Sequence, residues 1–221
     1  MLEKKHDKYF LRFTYAEEVA LNRTPVKEQT ICSVDLGINT DAVCTIMRPD
    51  GTILGRKFIN FPSDKDRMYR VLGRIRRFQR EHGSRQVQGR WAYAKRLNTE
   101  LGKKIAREIV FYASENRADV IVFEYLEMKG KLSGKKKQKL QMWRKRDIQK
   151  RCGQQAHRKG IRISRICAWN TSRLAFDGSG KVDRDIQDHR LCTFQNGKRY
   201  HCDLSASYNI GARYFIREIL K

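Results

Sequence analysis

The sequence predicts an α/β fold in which helices flank a mixed sheet. Two observations carry this prediction. Three strand-like segments follow one another with short connections, and two long segments with helical apolar stripes come next. Two further strand-like segments, with a helical one between them, then lead to a closing helix. The 221 residues are enough for one large domain or two small ones.

Each element is predicted from its local pattern. Short apolar runs bounded by turn residues predict strands, and Pro49-Asp50-Gly51 is a turn signal between two of them. The predicted strands are 8–15, 30–34, 42–47, 52–61, 118–123 and 161–166. Apolar residues at every third or fourth position predict helices. The predicted helices are 64–81, 97–112, 140–159 and 204–219. Residues 170–201 show neither pattern and are predicted to be irregular.

The charge of the chain is concentrated in two blocks. The sequence has 48 Lys+Arg against 24 Asp+Glu, a net charge of +24. Residues 63–110 have a net charge of +9 and residues 129–165 a net charge of +14, so the remainder is almost neutral. Such blocks on a balanced scaffold indicate a polyanionic partner. A basic helix on a membrane surface is the competing interpretation, which the neutral α/β remainder disfavours.

The first basic block favours nucleic acid. It is rich in arginine and is interrupted by Trp91 and Tyr93, and guanidinium groups suit phosphates while aromatic rings suit bases. The residues expected to bind nucleic acid here are Arg74, Arg76, Arg77, Arg90 and Lys95. For the lysine-rich segment 130–139 two interpretations stay open: a solvated loop, or a further contact to nucleic acid.

The sequence predicts a cytoplasmic protein, associated with the nucleoid. No apolar run approaches the roughly 18 residues that a membrane span needs, and the N-terminal residues lack the apolar core of a signal peptide. The six cysteines are too sparse for a disulfide framework, so reduced thiols are expected.

Three carboxylates occupy unusual positions. Asp35 and Glu124 directly follow apolar strands, and Asp203 begins the closing helix. Taken singly, Asp35 could cap a turn at Gly37, Glu124 could form a salt bridge, and Asp203 could cap its helix. Together with the element order, they match the ribonuclease-H-type fold. In that fold three carboxylates converge on two hard divalent cations, here Mg²⁺ or Mn²⁺.

At these residues the sequence resembles a known family, the RuvC-like nuclease region of TnpB proteins and of compact type V CRISPR effectors. The resemblance covers about residues 30–221. Its motifs are 33–39 (SVDLGIN), 121–126 (IVFEYL), 202–212 (CDLSASYNIGA) and, between the last two, Thr171-Ser172.

The resemblance implies an RNA-guided DNA endonuclease whose partners are DNA and guide RNA. Asp35, Glu124 and Asp203 would be its catalytic residues and its metal ligands. For Arg173, directly after Thr171-Ser172, two interpretations stay open. It could contact the strand being cut, or it could be a surface charge without a role in binding.

Two departures from the family pattern matter. The family has a zinc knuckle built from two Cys-x-x-Cys pairs, whereas here Ala175, Gly178 and Asn196 stand at three of those positions. Zinc is therefore not expected. An irregular site is the alternative, and its ligands would come from Cys167, Cys192, Cys202, His189 and His201.

The second departure is length. Family members usually carry an N-terminal β-barrel and helical lobe, of which only residues 8–15 resemble a part. That lone strand would have no neighbour to pair with, so a separate N-terminal half is an expected partner. The expected organisation is a residual strand and linker (1–29), a nuclease core (30–166), a degenerate zinc-knuckle-like insertion (167–202) and a helix that completes the core (203–221). The alternative is a non-catalytic nucleic-acid-binding piece, or a truncated remnant.

Overall fold

The computed structural model describes residues 2–5, 7–83, 87–125 and 145–221. The strands are β1 (Leu2–Lys5), β2 (Lys8–Leu11), β3 (Ile31–Asp35), β4 (Ala42–Met47), β5 (Ile53–Ile59), β6 (Val120–Tyr125), β7 (Arg162–Cys167), β8 (Asp183–Arg184), β9 (Leu191–Thr193) and β10 (Arg199–His201). The α-helices are α1 (Pro62–His82), α2 (Gln88–Glu115), α3 (Lys145–His157) and α4 (Cys202–Ile219). Within the described ranges, no helix is long and apolar enough to cross a membrane.

A five-stranded mixed sheet organises the fold, in the order β5-β4-β3-β6-β7. Strands β3, β4 and β5 form an antiparallel meander, and β6 and β7 run parallel to β3. The apolar runs of β4 and β6 are almost entirely buried, because both faces of the sheet are covered. The predicted α/β class, with its mixed sheet and flanking helices, is confirmed.

Side chains of the sheet alternate between two cores. Cys32 and Val34 point to the core that contains Ile105 and Ile109 of α2, together with residues of α3. Ile31, one position earlier, points to the opposite core, which α4 covers. Because the alternation has a period of two, every further residue of a strand can be assigned to one face.

Helix α4 runs antiparallel to β3 across its face of the sheet. Near its C-terminus, Tyr214 Oη donates a 2.7 Å hydrogen bond to Gln29 Oε1, just before β3 begins. In its middle, Ser207 Oγ shares a 2.7 Å hydrogen bond with Thr45 Oγ1, and its first turn packs through Leu204 in the same core as Val43. The N-terminus of α4 therefore lies over the carboxyl end of β3.

Helices α1 and α2 form an antiparallel pair. The second half of α2 packs on the sheet, whereas α1 packs against the first half of α2 through a separate small core that includes Met68, Ile75 and Ala94. Lys104 Nζ and Asp64 form a 2.7 Å ion pair that ties the start of α1 to the middle of α2. The arginine-rich block is thus carried by a helical hairpin attached to the sheet.

Two sequence-based expectations are wrong. Strand β2 is not a lone strand, because it pairs antiparallel with β1 from Leu2↔Leu11 to Lys5↔Lys8. Residues 170–201 are not wholly irregular, because β8, β9 and β10 form a three-stranded antiparallel sheet there. The lysine-rich segment 130–139 and the start of the helix predicted over 140–159 lie outside the described residues.

Candidate metal centre and nucleic-acid interface

Asp35 and Glu124 end two neighbouring parallel strands at the same level. The register of β3 and β6 pairs Val34 with Phe123, so Asp35 and Glu124 are the next positions along. Both follow residues that point to the α2 side, and both therefore lie on the α4 side of the sheet. Neighbouring strands lie about 4.8 Å apart. Glu124 is only 8% exposed, and Asp35 is half-buried.

Asp203 reaches this edge of the sheet from α4. The helix is capped by His201, which makes no side-chain capping bond, so Asp203 lies inside the first turn and the interpretation of Asp203 as the cap is wrong. Leu204 packs in the same core as Val43, and Val43 pairs with Asp35. The three predicted carboxylates are therefore positioned by the backbone at one end of the sheet, on one face.

Both the side chain and the backbone carbonyl of Glu124 accept hydrogen bonds. The hydroxyl of Thr171 donates a hydrogen bond to Glu124 Oε1, and Gln149 Nε2 donates to the Glu124 carbonyl at 3.0 Å. Gln149 Oε1 in turn accepts from Arg165 Nε at 3.1 Å. This network joins α3, β7 and the turn after β7 to the end of β6, so it restrains the orientation of the carboxylate.

Asn209 of α4 clamps the turn that carries Thr171. Its side-chain amide donates to the Thr171 carbonyl at 2.9 Å and to the Leu174 carbonyl at 2.7 Å. Sequence reasoning placed Thr171 and Asn209 in motifs but did not link them. The available signal was an asparagine directly after Tyr208 of the apolar stripe of α4, because a half-buried polar side chain needs a partner.

We expect Asn209→Ala to destabilise the fold by about 2 kcal/mol, because it leaves two carbonyl groups without their donors. Asn209→Asp should have a similar cost, since a carboxylate accepts hydrogen bonds and cannot donate them. Urea denaturation measures both effects. Gln154→Ala, at an exposed position of α3, is the control. An Asn209→Ala variant as stable as the parent chain would show that the clamp contributes nothing.

The ligand chemistry at this edge fits a hard divalent cation, since carboxylate oxygens are the ligands that Mg²⁺ and Mn²⁺ prefer. The side chains themselves are not gathered into a ligand sphere. Among residues 2–5, 7–83, 87–125 and 145–221, no group of three or more His, Cys, Asp or Glu side chains could hold a metal ion as it stands. The Thr171 hydroxyl engages the Glu124 carboxylate instead.

Two of the cysteines near Asp203 belong to a small core beside the sheet of β8, β9 and β10. Cys192 and Cys202 are buried together with Ala175 and Phe194, whereas Cys167 is exposed. Burial raises the pKa of the Cys192 thiol, and it raises the pKa of the Cys202 thiol to about 12. These two thiols therefore serve as small apolar side chains in that core.

The absence of bound zinc stays a prediction. Because three of the four family cysteine positions hold Ala175, Gly178 and Asn196, we expect the purified chain to contain no stoichiometric zinc. A strong chelator should leave its melting temperature unchanged. Elemental analysis that finds about one zinc per chain would contradict this expectation.

The predicted nucleic-acid contacts are mostly exposed side chains of the helical hairpin. Arg74, Arg76 and Arg77 are exposed on α1, and Lys95 is exposed on α2. Arg90 is also exposed, and its guanidinium lies 4.1 Å from the centre of the Phe78 ring. The hairpin thus presents cations beside aromatic rings, an arrangement suited to phosphates and bases.

Arg173 lies apart from the hairpin. It is exposed in the turn that begins at Thr171, whose hydroxyl engages Glu124. The structure therefore brings Arg173 to the carboxylate end of the sheet, whereas the five hairpin residues belong to a different part of the molecule.

Solved structures match the chain, whereas no protein-family model and no curated protein does. Cas12f1, in a complex with sgRNA and target DNA, has a TM-score of 0.66 and 19% identity over 82% of this chain and 49% of its own. AacC2c1, in a binary complex with sgRNA, has a TM-score of 0.61 and 10% identity over 85% of this chain and 39% of its own. The mini-RNA-guided endonuclease CRISPR-Cas_phi3 has a TM-score of 0.57 and 12% identity over 86% of this chain and 46% of its own.

These likenesses show the fold. The chain has a ribonuclease-H-like α/β fold, and its predicted resemblance to the RuvC-like region of compact type V effectors is confirmed at that level. The chain spans less than half the length of each of these three proteins.

Proposed function

We propose that the chain is a metal-dependent endonuclease domain that hydrolyses phosphodiester bonds of DNA. The observation that carries this proposal is the alignment of Asp35 and Glu124 on one face at the ends of parallel strands, with Asp203 brought over that edge by α4. Three carboxylates at one edge of a sheet supply oxygen ligands of the kind that Mg²⁺ and Mn²⁺ prefer.

The proposed roles follow from position. Asp35, Glu124 and Asp203 would hold one or two Mg²⁺ or Mn²⁺ ions, which when bound activate water and stabilise the leaving oxygen of a phosphodiester. Glu124 is oriented by Thr171, and Asn209 holds the turn in place. Arg173 would contact the phosphate backbone near the cut, because its guanidinium can pair with phosphate oxygens.

We further propose that this domain works within a larger RNA-guided assembly. Two of the matched structures are complexes that contain sgRNA, one of them with target DNA, and the chain spans less than half of each protein. Within that assembly, guide RNA and DNA would bind the basic hairpin. Residues 1–29, 30–166, 167–202 and 203–221 remain the proposed divisions of the chain.

The test is cleavage by the full chain. Labelled single-stranded and duplex DNA would be incubated with Mg²⁺, with Mn²⁺ and with EDTA. The proposal expects cleavage with the divalent ions and none with EDTA. An Asp35→Asn preparation, purified identically, controls for contaminating nucleases. Cleavage that persists in EDTA, or that the Asp35→Asn preparation retains in full, would contradict the assigned metal centre.

A non-catalytic nucleic-acid-binding piece, or a truncated remnant of an effector, is the second candidate. It is favoured by the lack of a ready ligand cluster in the described part of the chain and by the hydrogen bond that engages Glu124. This candidate expects salt-sensitive binding of nucleic acid with no cleavage under any metal.

Both candidates expect binding that depends steeply on salt. Because phosphate neutralisation releases counterions, affinity should fall about a hundredfold or more between about 50 mM and 200 mM salt. Changing Arg74, Arg76 and Arg77 to Glu should weaken binding and reduce the salt slope. The same change at the lysines of 135–137, which lie outside the described residues, should matter less if that segment is a solvated loop. Fluorescence anisotropy measures this, and an affinity independent of salt would contradict the electrostatic interpretation.

A further inference from the structure

The exposed ring of Phe58 lies in the same row of the sheet as the carboxylates. Phe58 pairs with Val43, and Val43 pairs with Asp35, so these three residues are adjacent on the α4 side of β5, β4 and β3. With strands about 4.8 Å apart, the backbones of Phe58 and Asp35 are about 10 Å apart. Phe58 is 47% exposed although it lies on the face that α4 covers elsewhere.

A second aromatic ring supports Phe58. The ring of His201, the capping residue of α4, lies edge-on to Phe58 with centroids 4.9 Å apart and an interplanar angle of 71°. This contact restrains one side of the Phe58 ring while leaving the rest of it accessible. The result is a rigid apolar plane next to the residues that would bind the reacting phosphate.

Arg56 precedes Phe58 by two positions on β5 and lies on the same face of the sheet. Arg56 pairs with Thr45, whose hydroxyl bonds Ser207 of α4, so Arg56 also points to the α4 side. Its guanidinium is exposed and lies 5.7 Å from the centre of the Tyr208 ring. Strand β5 is the edge of the sheet, and nothing in the described residues pairs with its outer side. The aromatic ring of Phe58 and the guanidinium of Arg56 therefore lie side by side along the edge strand β5.

We propose that Phe58, supported by His201, is a stacking platform for an unpaired nucleotide base, and that Arg56 contacts the adjoining phosphate. The occupant is a single strand of nucleic acid, because a paired base does not offer its face to a ring and because aromatic–cation grooves bind such strands. This inference rests on the proposed function and adds to it a position for the nucleotide beside the cut. Charge complementarity at the site comes from Arg56, the exposed cation on the same face as Phe58.

The probe is a single-stranded oligodeoxynucleotide that contains 2-aminopurine, a base whose fluorescence falls on stacking, bound to the full chain in EDTA. Phe58→Leu keeps an apolar side chain and removes the ring. It should weaken binding about fivefold or more and abolish the fall in fluorescence. Phe58→Trp should retain both. Leu54→Ala is the matched control, because Leu54 is on the same strand and equally exposed at 47%. Arg56→Ala should weaken binding and reduce the salt slope by about 1.

The same measurement is repeated with a fully paired DNA duplex. Phe58→Leu should leave duplex binding unchanged, because a paired base does not stack on the ring. A Phe58→Leu variant that behaves like Leu54→Ala, or that loses single-strand and duplex binding equally, would overturn the platform. Failure of the platform leaves the nuclease proposal intact if the parent chain still cleaves. Conversely, a Phe58→Leu defect in a chain that never cleaves supports the platform and removes the catalytic proposal. A parent chain that binds neither probe overturns both.

Discussion

Asp35→Asn, Glu124→Gln and Asp203→Asn are each expected to reduce metal-dependent cleavage about a thousandfold or more, because each removes a ligand of the cations that stabilise the transition state. Salt-sensitive binding of nucleic acid should change little. Mg²⁺ should also raise the melting temperature of the parent chain, since a ligand that binds the folded state stabilises it. Each variant should lose most of that gain. Without metal, the variants should be equally stable or slightly more stable, because repulsion among three carboxylates is relieved.

Asp50→Asn is the matched control for these variants. Asp50 lies in the turn between β4 and β5, at the opposite end of the sheet from Asp35, and it accepts a hydrogen bond from the Thr52 amide at 2.9 Å that an asparagine can keep. It should retain cleavage and the response to Mg²⁺. If Asp203→Asn is as active as Asp50→Asn, Asp203 is not part of the centre.

Phe123→Ala is expected to destabilise the fold by about 3–5 kcal/mol, because it removes a fully buried aromatic ring. Phe123 is fully buried between the sheet and the helices that cover its α2 side. The substitution removes a ring directly before Glu124, so it leaves a cavity beneath the end of β6. Urea denaturation measures the loss, which is a large part of the total stability of an ordinary domain.

Phe58→Ala provides the comparison for Phe123→Ala, because the same ring is lost from a position that is 47% exposed. It should lower the free energy of unfolding by no more than about 1.5 kcal/mol, because only about half of the ring is buried. Equal effects of the two substitutions would contradict the assignment of Phe123 to the core.

The central elements could be predicted because their patterns are local. Strand β4 has the predicted bounds Ala42–Met47, and α4 begins within two residues of its predicted start. The apolar stripe of α1 includes Met68 and Ile75, which are buried as expected. In each case a run or a repeat of apolar residues is long enough to select one element and one face.

The elements that sequence reasoning missed depend on contacts between distant residues. Strands β8, β9 and β10 have two or three residues each, too few for an alternation to be recognised. The link from Asn209 through the turn to Glu124 joins residues 38 and 47 positions apart, and no spacing in the sequence reveals it. Likewise, Phe58 lies in the same row as Asp35 because of the register of β3, β4 and β5. That register depends on the geometry of the turns between the strands, which the sequence pattern does not specify.

The most direct test of the account is a crystal structure of the full chain grown with Mn²⁺, in which anomalous scattering locates the metal. The account predicts Mn²⁺ bound by the carboxylates of Asp35, Glu124 and Asp203, with Glu124 turned from Thr171 toward the ion. Two ions, if both are present, should lie about 4 Å apart. An Asp203 carboxylate more than about 10 Å from that of Asp35, or Mn²⁺ bound only elsewhere, would contradict the nuclease proposal for this chain.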